Sequence, residues 1–257
     1  MTARSRPWSR SELLVAMQIY CQMSFGQFHA RNSEIIRISA KLNRTPSSLA
    51  MKLCNLASLD PAHQARGVAG LKSVSRSDRD IWEEFTRDWT GMAAASAVEM
   101  ERLLGYMGKQ DADAWIVPKR ATAGTAQVQI RKGQGFFRTA VLTAYGNRCC
   151  LTECAVSEFL VASHIVPWSS DESNRLNPRN GLCLAPMQDR AFDLGFIAFS
   201  DELRVVVSGA LLKYESDPLV KSQLLSLAGA PMRLPERFYP DLDLISRHRR
   251  EVFGMRN

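Results

Sequence analysis

The sequence predicts an α+β chain in two parts: a helical N-terminal domain over residues 1–104, a linker over 105–134, and a second domain over 135–257 built on two strands and a helix. Three observations carry this. Amphipathic helical patterns with start signals fill the first third. Two short apolar runs, Glu158 to Ser163 and Gly181 to Ala185, are bounded by turn residues. A short helical stretch from about Gln188 to Leu194, with Gly195 as its stop, follows the second run at once.

The elements follow in chain order. Ser9 stands before Leu13, Leu14, Ala16, Met17 and Tyr20, a start signal ahead of an apolar stripe. Ser33 to Leu42 predicts a second helix with Ile35, Ile36, Ile38 and Leu42 buried. Asn43-Arg44-Thr45-Pro46 then breaks the chain, with Thr45 placed as N-cap and Pro46 at the first helical position of a third helix reaching about Leu56. Helix, short turn and helix with a polar leading end is the order that helix-turn-helix proteins use to enter a major groove. Arg44, Ser47, Ser48 and Lys52 are therefore the expected DNA contacts, with Ser47, Ser48 and Lys52 facing outward while Leu49, Leu53 and Leu56 pack inward. Residues 76–89 and 93–104 predict further helices. Between Gly105 and Gln134 the apolar periodicity is lost and Gly, Pro, Lys and Thr accumulate, which places the linker there. After the strand pair and its helix, Phe196 to Phe199 and Leu203 to Val207 predict a hairpin, and Leu211 to Ala228 one or two helices. The tail Arg247-His248-Arg249-Arg250 is either a phosphate contact or a plain surface tail, and His29, His63 and His248 are expected at the surface.

Charge is distributed unevenly. The net charge is +7, and Met1 to Ser75 carries ten Lys or Arg against Glu12, Glu34 and Asp60, so the rest of the chain sums to zero. Excess positive charge confined to the helical third suits docking on phosphates; a solvated basic face is the alternative. No stretch approaches membrane-spanning length and no signal-like apolar run follows Met1, so a cytoplasmic protein is expected. Six Cys are too few for a disulfide scaffold of this size. Cys149, Cys150, Cys154 and Cys183 flank the strand pair and suit either a structural zinc or buried small apolar side chains, the irregular spacing favouring the second.

The chemistry concentrates between residues 163 and 193. Ser163-His164-Ile165-Val166-Pro167-Trp168 ends the first apolar run, Asn180-Gly181-Leu182-Cys183-Leu184 opens the second, and Asp189-Arg190-Ala191-Phe192-Asp193 lies on the helix. Phosphodiester hydrolysis needs a water that loses a proton near neutral pH, and a neutral imidazole can take it. His164 is the candidate base. Charge developing on the phosphate is offset by a divalent cation held by carboxylates, and Asp189 and Asp193, four apart, share one helix face. Asn180 can orient the His164 loop or lend an oxygen to the cation. Arg175 and Arg179 are candidates for gripping the strand to be cut, or for holding the long loop in shape. Trp168 is expected to cap the core.

These stretches, with Phe137-Arg138-Thr139-Ala140-Val141-Leu142 and Arg175-Leu176-Asn177-Pro178-Arg179, resemble the HNH endonucleases with a ββα-metal core, specifically the bacterial putative restriction endonuclease group, over about Gly135 to Val207. The resemblance implies a metal-dependent DNA endonuclease of host defence, with His164 as general base, Asn180 as the middle asparagine, and the helix bearing Asp189 and Asp193 as the metal-binding helix. It implies Mg²⁺ or Mn²⁺, with Ni²⁺ or Zn²⁺ also used in such sites, double-stranded DNA as partner, and 5′-phosphate and 3′-hydroxyl products. Gln188 stands where many members have His, and a neutral amide is a weaker ligand. With help from Gln188 the ion would be held loosely. The rival reading is a catalytically impaired HNH-fold DNA-binding or regulatory protein. Cutting both strands with one site per chain would call for a homodimer.

Overall fold

The computed structural model describes residues 6–67, 74–105 and 123–256. Helices and two small antiparallel sheets make up the chain, which divides into compact units over residues 1–136 and 137–257.

The first unit is helical: α1 (Arg10–Gln22), α2 (Ser33–Lys41), α3 (Pro46–Ala57), α4 (Pro61–Ala65), α5 (Arg76–Arg87) and α6 (Trp89–Leu104). Ser9 starts α1 through a reciprocal capping box with Glu12, and Thr45 caps α3 with Pro46 in its first turn, as the sequence predicts. Leu13 to Met17 and Ile19 to Cys21 are all nearly inaccessible, so α1 is the central helix, touching α3, α5 and α6. Tyr20 donates to the Asp60 carboxylate at 2.8 Å while the same carboxylate caps α4 at Ala62 N. His63 is fully buried rather than at the surface.

Two expected DNA contacts face inward instead. The Arg44 guanidinium is bidentate on Glu12, at 2.9 Å from each oxygen, donates to the Arg6 and Pro7 carbonyls, and lies 4.1 Å from the Trp8 ring centre. Burial works to raise the Glu12 carboxyl, but the Arg44 and Ser9 hydrogen bonds and the charges of Arg44 and Arg6 bring it down to about 2. Lys52 is 6% exposed, with Nζ 2.5 Å from Asp78 Oδ1. Asp78 also completes the capping box of α5. Both cations are held because desolvated carboxylates need them. Ser47 is exposed and Ser48 half-buried, so these two do face outward.

Helix α7 (Ala123–Ala144) covers residues 123–134 of the expected linker; residues 106–122 lie outside the described residues. Gly133 and Gly135 disfavour a helix by about 1 kcal/mol each. The buried stripe Phe137, Ala140, Val141 and Ala144 nevertheless anchors its C-terminal end in the second unit.

In that unit, β1 (Val161–His164) pairs antiparallel with β2 (Gly181–Leu184), placing His164 opposite Gly181. Helix α8 (Pro186–Asp193) packs against β1, and β3 (Ile197–Phe199) pairs with β4 (Val205–Val207) in the expected hairpin. A 3₁₀ stretch (Gly209–Tyr214), α9 (Pro218–Gln223) and α10 (Leu242–His248) follow. The basic tail is structured. Arg247 pairs with Glu251 at 3.0 Å, Arg249 donates to the Phe199 carbonyl and to Asp201, and Arg250 donates to Ser246, so this segment is neither a loose tail nor a row of unengaged cations.

His248 is buried, not at the surface. Its Nε2 donates to the Phe192 carbonyl at 3.1 Å and its ring stacks on that of Phe192 at 3.7 Å. Burial pushes its pKa from 6.5 down to about 4, against the hydrogen bond. Between these values the unfolded chain binds a proton that the folded chain refuses. This contribution is therefore fully present above pH 6.5 and is lost as pH falls to about 4, on the order of 3 kcal/mol in all. Urea unfolding of the parent and His248→Gln at pH 7 and pH 4.5 checks it: the parent should lose more stability than the variant, and equal losses would refute the assignment.

No helix among the described residues is long and apolar enough to cross a membrane.

Candidate active site

His164 closes β1, and its surroundings set its chemistry. Phe137 of α7 stacks face to face on its imidazole, with centroids 3.8 Å apart and planes 8° apart, while Trp168 meets it edge-on at 5.7 Å. Nε2 lies 3.0 Å from the Arg175 carbonyl. A carbonyl only accepts, so Nε2 carries the hydrogen and Nδ1 is left as the proton-accepting atom of the neutral ring. Burial lowers the imidazole pKa below 6.5 and so favours the neutral ring, although the Arg175 bond works the other way.

The loop from Ile165 to Asn177 is held by asparagines. Asn180 is buried; its Oδ1 accepts from Val166 N at 2.8 Å, and its Nδ2 donates to the carbonyls of Val166 and Asn174, both at 3.1 Å. Its carbonyl also accepts from Ile165 N at 2.9 Å. Asn180 thus staples the two sides of the loop beside His164, the first of its two expected roles. Asn177 Nδ2 donates to Asn174 Oδ1, and Asn174 Nδ2 donates to Asp171. Asp171 also accepts from Ser173 and lies 3.4 Å from Arg247; despite partial burial, these donors lower its pKa. The sequence marks Asp171 only as one of the polar residues of the loop, although an Asp followed by Ser and Asn two and three residues on is a turn signature.

Arg175 is bonded within the loop, and Arg179, just past it, is bonded to the segment before α10. Arg175 Nε donates to the Trp168 carbonyl at 2.9 Å and its guanidinium pairs with Glu172, while Arg179 pairs with Asp241 at 3.3 Å and donates to the Tyr239 carbonyl.

On α8, Asp193 feels the charge of Asp189. Asp193 borders an open pocket of about 510 Å³ with Leu194, Ala210, Glu251, Val252 and Met255. Although the residue reaches the surface, partial burial of the carboxyl there raises its pKa, helped by Asp189 and opposed by Arg190. Gln188 is buried and turned away from solvent, its amide donating to the Gln223 carbonyl at 2.9 Å. Among the described residues no three His, Cys, Asp or Glu side chains gather into a group able to hold a metal ion, so His164, Asp189 and Asp193 do not form one, and neither do the cysteines. All six cysteines are free thiols. Cys149 Sγ accepts from the amides of Leu151, Thr152 and Ala185, a turn-capping role, and burial pushes the Cys183 thiol up to about 12.

A family model described as HNH endonuclease covers this region, from Cys149 through both strands and α8 to Ser200. Residues 149–200 are thus similar to the HNH endonucleases. HNH nucleases generally use a divalent metal, and α8 carries two of the carboxylates of this region, Asp189 and Asp193. Carboxylates are hard donors of the kind a Mg²⁺-like ion takes, with waters or substrate phosphate for the rest, unlike the Cys and His cage of a structural zinc. A solved structure described as a modification-dependent TagI restriction endonuclease is similar at 22% identity and a TM-score of 0.33, over 45% of this chain and 37% of that one. The chain thus spans little more than a third of that protein's length. No curated protein matches the chain.

Proposed function

We propose that this chain is a DNA endonuclease of a restriction or host-defence system, hydrolysing phosphodiester bonds in double-stranded DNA with His164 as general base. The observation that carries the reading is the His164 arrangement: a half-buried, neutral imidazole whose Nε2 is committed to the Arg175 carbonyl, leaving Nδ1 to accept a proton. Water attacking phosphorus passes its proton to Nδ1, the P–O3′ bond breaks, and the 3′ oxygen takes a proton from solvent, giving 5′-phosphate and 3′-hydroxyl ends. Asn180 keeps the base still by stapling the loop that supplies the Arg175 carbonyl. Asp189 and Asp193 would hold a Mg²⁺ or Mn²⁺ ion, which when bound supplies positive charge to the phosphate.

Docking is assigned to the first unit, with the leading end of α3 at Ser47 and Ser48 toward DNA; Arg44 and Lys52 support it from inside. Arg175 and Arg179 shape the loop and reach the phosphate only by exchanging partners. Double-strand cutting would be the work of a homodimer. Gln188 supports the rival reading of an impaired, DNA-binding descendant, since its amide is engaged with Gln223. Supercoiled plasmid incubated with Mg²⁺, Mn²⁺, Ni²⁺ or Zn²⁺, and with chelator, separates the two. Nicking that needs Mg²⁺ or Mn²⁺ supports the nuclease; retarded but intact plasmid under every ion supports the rival.

A further inference from the structure

We propose that Phe137 is a positioning residue for the His164 base, fixing the plane of the imidazole so that Nδ1 keeps one direction; this rests on the reading of His164 as proton acceptor. The Arg175 carbonyl fixes one ring atom, Nε2, at 3.0 Å. One hydrogen bond leaves the ring able to tilt about that point. A flat aromatic face 3.8 Å away and within 8° of parallel removes the tilt, and Trp168, edge-on at 5.7 Å, borders the ring as well. Phe137 is 2% exposed and belongs to a stretch, Phe137 to Leu142, that the chemistry above leaves without a role.

Gly181 shows how closely the phenyl ring is fitted. It stands opposite His164 in the strand register, and a Cβ there would lie 2.9 Å from Phe137 Cζ, 2.3 Å from Val141 Cγ2 and 3.2 Å from the Pro178 carbonyl. Only a residue without a side chain lets α7 come down far enough for Phe137 to reach the imidazole. The glycine after the staple asparagine and the phenylalanine upstream therefore serve one arrangement.

The test uses the full chain. Phe137→Leu keeps an apolar filling but removes the flat face. It is expected to lower kcat for plasmid nicking about 10- to 100-fold, as small misplacements of a reacting group do, with KM for DNA within about twofold. Gly181→Ala, which pushes on the ring from beneath, should give the same split. Circular dichroism and melting confirm that each variant is folded. An activity-independent readout is the ¹H–¹⁵N histidine spectrum, with His164 assigned by comparison with His164→Ala. The parent should show one sharp set of His164 ring resonances, and Phe137→Leu broadened or multiple ones as the ring tilts about its bond to the Arg175 carbonyl.

A folded Phe137→Leu with the parent's kcat overturns the proposal, as does a rise in KM alone, which would make the ring a DNA contact. If the parent cuts nothing, an unchanged His164 spectrum in Phe137→Leu overturns it. If His164→Ala cuts as fast as the parent, the base assignment itself has failed, a result distinct from the others.

Discussion

His164→Ala is expected to nick supercoiled plasmid about 10²- to 10⁴-fold more slowly than the parent, the range over which a positioned general base contributes. The loss should fall on kcat, because the imidazole is stacked under Phe137 and bonded to the Arg175 carbonyl rather than presented to DNA as a contact. The pH profile carries a second signature. With its pKa held below 6.5 by burial, the base is protonated only in acid. The parent's rate should fall on the acid side of that value and be level by pH 7, where most of the imidazole is neutral. Single-turnover nicking across pH 5 to 8 measures both effects. A parent acid limb lying above pH 6.5, or an Ala variant as fast as the parent, would remove His164 from the reaction.

The largest effect on stability is expected from Lys52→Ala, at about 3 to 5 kcal/mol, the usual consequence of deleting one member of a buried ion pair. Asp78 is inaccessible and lies 2.5 Å from Lys52 Nζ, with Asn55 at 3.5 Å and the Ser75 amide at 3.3 Å as further donors. Removing the ammonium leaves a desolvated carboxylate at the start of α5. Chemical denaturation of Lys52→Ala and of Lys52→Ala with Asp78→Ala measures the effect. The double variant should recover part of the loss, because the stranded charge is gone. If Lys52→Ala were as stable as the parent and instead weakened DNA binding with a smaller salt dependence, Lys52 would be a phosphate contact after all.

The contrast between these two residues indicates what the chain makes legible. The surroundings of His164 could be read because its neighbours in sequence, the apolar run, the long polar loop and the Asn-Gly pair, are also its neighbours in space. Caps were legible for the same reason, since Ser9 with Glu12 and Thr45 with Ser48 act within one turn. Lys52 could not be read. It sits three residues after Leu49 and four before Leu56, at the margin of the buried stripe, and its partner lies 26 residues away on another helix. Arg44 likewise depends on Glu12, 32 residues earlier. The i, i+4 spacing placed Asp189 and Asp193 on one face, but nothing local said that Gln188 would turn to the Gln223 carbonyl. The helix through 123–134 was hidden because Gly133 and Gly135 argue against a helix there, while the buried stripe of Phe137, Ala140, Val141 and Ala144 lies beyond that stretch.

The hairpin of β1 and β2 has four residues in each strand, and a two-stranded ribbon of that size is marginal in water by itself. Its hollow over Gly181 is filled by Phe137 and Val141, both upstream of residue 149. Excising the 149–200 segment would therefore uncover the floor of the site, and a shortened gene product that begins after Val141 should yield an insoluble or ill-formed fragment, whereas one that keeps the last three turns of α7 retains the plug that closes the hairpin.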